Sequence, residues 1–199
     1  MKKHIVTSIL YTVVTAVLLG VAYPLAITAI AKVIFPKQAN GSLITRADGT
    51  VIGSRLIGQT FSGPGYFWSR PSAAGAGYDA TASGGSNYAP TNSALATRVK
   101  GTVDTLKAAN PKGDNAGDAT AAVPIDLATA SASGLDPDIT PAAAYYQVAR
   151  VAAERKMSED AVRALVASHI TPRQFGLLGE PRVNVLELNL ALDDAAPKK

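Results

Sequence analysis

From Ile5 to Ala31 the chain runs 27 residues without a charged side chain. Only Thr7, Ser8, Thr12, Thr15, Pro24 and Thr28 fall outside the apolar-plus-glycine set. As a helix this run is about 40 Å long, more than the ~30 Å hydrocarbon core of a bilayer. Lys2 and Lys3 precede it, Lys32 follows it, and Tyr23 lies near one end, where an aromatic ring meets the membrane interface. Pro24 is expected to disturb the last turns. A cleaved signal peptide is the competing reading, with Ala29-Ile30-Ala31 as a small-x-small site. The run exceeds the ~7–15 apolar residues of a signal core, which favours an uncleaved anchor.

The charge distribution follows from the same segment. The 199 residues carry a net charge of +4. Three lysines and no acid lie in the first 35 residues, so the remainder is close to neutral. That remainder holds no basic stripe interleaved with aromatics, which argues against nucleic-acid binding. The lysines flanking the run are nearly balanced. A short N-terminal tail before an anchor, with a long domain after it, favours export of that domain, because long domains translocate largely regardless of charge. The expected layout is a cytoplasmic tail at 1–4, a transmembrane helix at 5–31, a juxtamembrane linker at 32–41, and a periplasmic domain at 42–199 of mixed α/β (α+β) class.

Within that domain, Leu43-Ile44 and Val51-Ile52 flank Ala47-Asp48-Gly49-Thr50, a hairpin signal, and the second strand could run on to Gln59. Residues 71–97 are almost all Ala, Gly, Ser, Thr, Pro or Asn. Composition leaves open a disordered linker or an ordered, tightly turning loop. Leu95, Val99, Val103 and Leu106 recur at helical spacing, after N-cap candidates Thr91, Asn92 and Ser93 and before Asn110-Pro111. Val123–Ala130 reads as a short buried strand. Helices are expected from Thr140-Pro141, with Tyr145, Val148, Ala149 and Ala152 inward, and from Ser158, with Val162, Leu165 and Val166 inward. Val183–Leu192 alternates like a strand but is rich in Leu and Ala after a capping Asn184, and is read as helix.

Catalytic chemistry is scarce. There is no cysteine, and only two histidines, His4 at the membrane edge and His169. This excludes disulfides, thiolate metal sites and paired-histidine sites. No lysine follows a glycine, so no G-K-[ST] phosphate loop exists, and no G-x-S-x-G elbow is present. Gly84-Gly85-Ser86 reads as a turn. Asp136 and Asp138 around Pro137 read as turn and cap residues.

Long stretches carry a resemblance. They are Leu56-Ile57-Gly58-Gln59, Tyr66 through Ser72, Ser83 through Asn92, Thr129 through Pro137, Pro141 through Arg150, and Gly179 through Asp193. With the anchor, these resemble, in order, the C subunit of the Kdp potassium-transporting P-type ATPase. Ser93 departs from the proline expected there. The resemblance implies a single-pass subunit of the bacterial inner membrane with no catalytic site of its own. Its implied partners are a potassium-channel-like A subunit, an ATP-hydrolysing B subunit and a small F subunit. It further implies a catalytic chaperone that raises the B subunit's affinity for ATP, with ATP shared transiently and no tightly bound cofactor. Leu56-Ile57-Gly58-Gln59 resembles a shortened signature loop of ABC ATPases, which makes Gln59 the nucleotide-contact candidate. An exported domain cannot touch cytoplasmic ATP directly, so any effect would pass as a coupling free energy.

Tyr66, Phe67, Trp68, Arg70, Asn87 and Tyr88 are candidates for a subunit interface, where aromatics and arginine are enriched. These aromatics could equally fill the domain's own core. Two other functions compete. One is a periplasmic glycan-binding module stacking sugars on Tyr66, Trp68, Tyr78 and Tyr88. The other is a serine hydrolase built on His169.

Overall fold

The computed structural model describes residues 1–46, 48–112 and 122–195. The chain divides into two compact units, Met1–Ser54 and Arg55–Lys199.

The first unit is dominated by one apolar helical run, Lys2–Ile34, long enough to cross a membrane at about 50 Å. It consists of α1 (Lys2–Val17), a π-helical turn (Leu18–Ala22) and α2 (Tyr23–Ile34). Pro24 supplies the reason for the π turn. It lacks the N–H that would close the ladder and its ring crowds the preceding turn, so the helix widens just before it. The hydroxyls of Thr7, Ser8 and Thr15 donate at 2.8 Å to the carbonyls of Lys3, His4 and Tyr11. In lipid, such bonds leave no hydroxyl proton unpaired. A single turn, α3 (Pro36–Ala39), follows.

Next come β1 (Leu43–Thr45) and β2 (Val51–Ser54), an antiparallel pair. The turn is the expected Asp-Gly type. Thr50 N–H donates to Asp48 Oδ1 at 2.8 Å, and Gly49 has φ +84, which Gly adopts freely. Ala47 lies outside the described residues. The second strand stops at Ser54 instead of running to Gln59. In this unit the hairpin groups with the helix.

The second unit is a three-stranded antiparallel sheet with helices. After a 3-10 turn at Ala80–Ala82 come α4 (Ser93–Ala109), α5 (Ile125–Ala128) and β3 (Asp138–Ile139). Then follow α6 (Pro141–Tyr146), α7 (Val148–Arg155), α8 (Glu159–Ser168), β4 (Ile170–Thr171), β5 (Arg182–Asn184) and α9 (Val185–Ala195). The strand order is β3-β5-β4, with Val183 paired to both Ile139 and Ile170.

Four of these helices, α4, α6, α8 and α9, start where a side chain caps them. Asn92, Thr140 and Ser158 accept from Ala94, Ala143 and Ala161 N–H, and Asn184 Oδ1 accepts from Glu187 N–H. The C-terminal segment is helical because Val185, Leu188 and Leu192 then share one buried stripe.

Val123–Ala130 is not a strand. Pro124 enters a single helical turn, and the buried Asp126 turns its carboxylate to accept Thr140 N–H at 2.7 Å. The inward aspartate thus secures Thr140, the residue that caps α6, which a strand at this place would not allow.

The core joins Phe67 to Leu106, Leu127, Ile139, Val148, Val151, Val162, Val166, Val183, Leu188 and Leu192. Each such side chain contributes roughly 1.5–3 kcal/mol on burial.

Candidate functional site

The Gly63–Arg70 loop is an irregular segment that α6, α7 and α9 hold by side chains. Asn189 of α9 accepts the Phe67 N–H and donates to the Phe67 carbonyl, both at 2.9 Å. Gln147, at the break between α6 and α7, does the same for Trp68, accepting at 2.7 Å and donating at 3.1 Å. Two buried carboxamides thus replace a neighbouring β-strand. A loop passing through a core must find such partners or leave buried polar groups unpaired.

Arg150 of α7 completes the clamp. It donates to the carbonyls of Pro64 and Tyr66, to Asn110 Oδ1 at 3.0 Å and to Gln147 Oε1 at 2.7 Å. Its guanidinium lies 4.1 Å from the centre of the Trp68 ring. Burial lowers its pKa to about 10, still well above neutral pH. Arg155 repeats the pattern over Tyr66 at 4.4 Å, donating to Gly65 O and pairing with Asp193.

The sequence-nominated residues therefore divide. Phe67 is completely buried in the domain's own core and leaves no surface for a partner. Tyr66 stacks on Phe61 and bonds Asp193. Trp68 is half-buried, donates Nε1–H to Gly63 O at 3.0 Å, and lines two neighbouring grooves. One groove, about 420 Å³, is walled by Phe61, Arg70, Pro71 and Tyr78. The other, about 520 Å³, lies along α4 at Thr97, Gly101 and Thr105. Arg70 pairs with Asp136 at 2.8 Å. Asn87 and Tyr88 are exposed, and Arg98 lies 5.5 Å from the centre of the Tyr88 ring. Trp68 and Tyr78 share a groove, but neither Tyr66 nor Tyr88 lines it, so the four aromatics do not form one sugar platform.

Gly58 is buried, and its N–H donates to Leu135 O at 2.8 Å. A Cβ there would run into the Asp136 carbonyl and come within 2.7 Å of the Tyr78 ring. The glycine of Leu56-Ile57-Gly58-Gln59 is thus required by close packing. Gln59 is half-buried and its carbonyl accepts from Ser69 Oγ at 3.2 Å. It begins no helix, so no helix N-terminus stands there to receive phosphate.

The Gly/Ser loop, left open between linker and ordered turn, is ordered. Ser72 Oγ donates to Gly134 O at 2.6 Å and accepts from Tyr78 N–H, and Gly84 N–H donates to Ser133 O. Gly134 adopts φ +66 with Ala74 and Gly84 packed against it.

His169 caps α8. Its Nδ1 lies 2.8 Å from Leu165 O and 3.1 Å from the adjacent Ser168 Oγ. Among the described residues, no carboxylate hydrogen-bonds that ring to orient it as the third member of a triad would. Among the described residues, no group of three His, Asp or Glu stands where it could hold a metal ion.

The family model that matches residues 5–194 is KdpC, described as the c chain of the K+-transporting ATPase. This chain belongs to that family. A KdpC subunit of a potassium-transporting ATPase from Acidobacterium capsulatum is 62% identical over 96% of this chain and 98% of its own length. Those from Koribacter versatilis and Bradyrhizobium diazoefficiens are 59% and 54% identical over 99% and 100% of this chain, and over 97% and 100% of their own lengths. The match takes in both the apolar helix and the clamped loop. Sequence reasoning missed Gln147, Asn189 and Arg150 as the residues that shape this region. Their polarity inside apolar helix faces was the available signal.

Proposed function

We propose that the chain is a non-catalytic subunit of a potassium-transporting ATPase, held in the inner membrane by the Lys2–Ile34 helix with its second unit on the periplasmic side. It assembles and stabilises a complex with a potassium-channel-like A subunit, an ATP-hydrolysing B subunit and a small F subunit. The observation that carries this reading is the match of the family over residues 5–194. The internal use of the polar groups around Trp68 is consistent with it. Arg150, Gln147 and Asn189 are committed to backbone bonds, which suits a rigid binding surface more than a site that moves protons.

The chaperone role follows in coupled form. An exported domain meets no cytoplasmic ATP, so it raises the B subunit's ATP affinity by stabilising the nucleotide-competent state of the complex. Gln59 then serves the loop around Gly58 and Ser69. Reporter fusions after Lys199 test the orientation, with activity expected from a periplasm-active reporter. Gln59→Ala tests the coupling. An unchanged ATP dependence of the assembled pump discards a nucleotide role for Gln59, whereas a signal from a cytoplasm-active reporter would make direct contact at Gln59 the better reading.

A further inference from the structure

The groove of about 520 Å³ between Trp68 and α4 has a one-sided chemistry. Trp68, Pro71, Leu106 and Leu127 supply its apolar lining, and Ser69, Thr97, Thr102 and Thr105 bring four hydroxyls to it. Each hydroxyl has spent its proton inside the chain. Ser69 donates to Gln59 O at 3.2 Å, Thr97 to Ser93 O and Thr102 to Arg98 O at 3.0 Å, and Thr105 to Gly101 O at 2.9 Å. Only oxygen lone pairs remain, so these four positions accept hydrogen bonds and give none.

Arg98 is the charged side chain of this lining, and it lacks a counter-ion. Its Nη2 donates to Ser86 Oγ at 3.1 Å, and its guanidinium lies over the Tyr88 ring. Among the described residues no carboxylate pairs with it. Its Nε–H is buried without a hydrogen-bond partner. A buried donor left without an acceptor weakens the fold that carries it. Arg70 also has an unpartnered Nε–H, but its charge is met by Asp136.

Gly101 is a second, independent feature of the same groove. It stands inside α4, where alanine would make a more stable helix. Among the described residues no atom lies within 4 Å of the place its Cβ would take. Packing within this chain therefore gives no reason for glycine there. A glycine on an open groove lets another main chain come close.

We propose that this groove receives an extended peptide segment of another subunit of the same ATPase, with an Asp or Glu side chain seated on Arg98. This rests on the subunit reading above. Backbone N–H groups of the segment meet the spent hydroxyls of α4, its main chain passes over Gly101, and an apolar neighbour of the acidic residue covers Trp68 and Leu106. Charge complementarity selects the carboxylate, since an arginine without a counter-ion binds one in a charge-assisted pair. Arginine beside tryptophan is also the composition of interface hot spots.

An anionic bilayer is the less fitting occupant. Attraction to it takes clusters of about 4–8 Lys or Arg. Helix α4 carries Arg98, Lys100 and Lys107 with Asp104 among them. Lipid phosphates and acyl esters are also acceptors, and would leave the four hydroxyl oxygens without donors.

The test co-expresses the full chain with the other ATPase subunits. Zero-length carbodiimide coupling joins an amine to a carboxylate in contact with it and leaves arginine untouched. In the complex bearing Arg98→Lys, an amide between position 98 and an Asp or Glu of another subunit is expected, identified by mass. An intact complex with no adduct at position 98, or with adducts there only to this chain or to lipid, would overturn the proposal. In parallel, Gly101→Leu is expected to lower the amount of co-purified complex roughly tenfold, the scale of a lost hot spot. The unfolding midpoint of the chain alone is expected to be no lower than that of the wild type, because leucine favours helix and the space is open. Equal recovery of complex would overturn the proposal too. If the wild-type chain fails to co-purify, the subunit reading itself fails, an outcome distinct from a wild type that assembles beside a variant that assembles equally well.

Discussion

Asn189 and Phe67, 122 residues apart, are joined as two strands of a sheet would be, with Asn189 bonding both the N–H and the carbonyl of Phe67. One side chain of α9 therefore fixes the depth at which the aromatic loop enters the core. The Phe67 ring, fully buried, then holds Trp68 beside it at the surface of two grooves.

Asn189→Ala leaves the Phe67 N–H and carbonyl buried without partners. A loss of about 2–4 kcal/mol is expected from two unsatisfied groups and a small cavity. Denaturant unfolding of the full chain in detergent, followed by Trp68 emission, measures it. Because Trp68 is the chain's one tryptophan, the signal reports on this loop alone.

Arg150→Lys keeps a cation but cannot reach Pro64 O, Tyr66 O, Asn110 and Gln147 together or stack as a plane on Trp68. The expected cost is about 2 kcal/mol or more. A red-shifted Trp68 emission should accompany it, as water reaches the ring. An unshifted spectrum would mean that the clamp is less important than its geometry implies.

Gly58→Ala drives a methyl into the Asp136 carbonyl and the Tyr78 ring. Overpacking of this kind costs about 1–3 kcal/mol. Gln59→Ala is expected to change stability far less. Comparing their melting temperatures separates the packing role of the motif from any role of its glutamine.

Asp138 carries a pH signature. Burial raises its pKa above 3.8, with Asp136 and Glu187 raising it further, while Arg182 and Asn184 act in the opposite sense. A raised folded-state value means that the proton is held more tightly in the fold. The associated stability is present below 3.8 and is lost as pH rises through the raised value. Asp138→Asn removes that dependence. The stability difference, variant minus wild type, should therefore grow with pH across this window, as read from denaturation midpoints.

Much of this architecture was legible in residue patterns because the deciding interactions are local. Helix starts at Asn92, Thr140, Ser158 and Asn184 are side-chain caps two or three residues from their targets. The Asp48-Gly49 turn is equally local. The misread segment, Val123–Ala130, depends on Asp126 reaching Thr140, a contact no local pattern reveals. Phe67 was grouped with interface aromatics because a Tyr-Phe-Trp run has no period that tells core from surface. Only the distant Asn189 and Gln147 decide which ring turns inward.

The central claim is that this chain contributes to the pump by assembly and not by chemistry of its own. The direct measurement is potassium-stimulated ATP hydrolysis by membranes holding the other ATPase subunits, with and without this chain. The account predicts no hydrolysis by the chain alone, little by the remaining subunits, and restoration when the wild-type chain is co-expressed. Hydrolysis by the chain alone, or full activity in its absence, would contradict it.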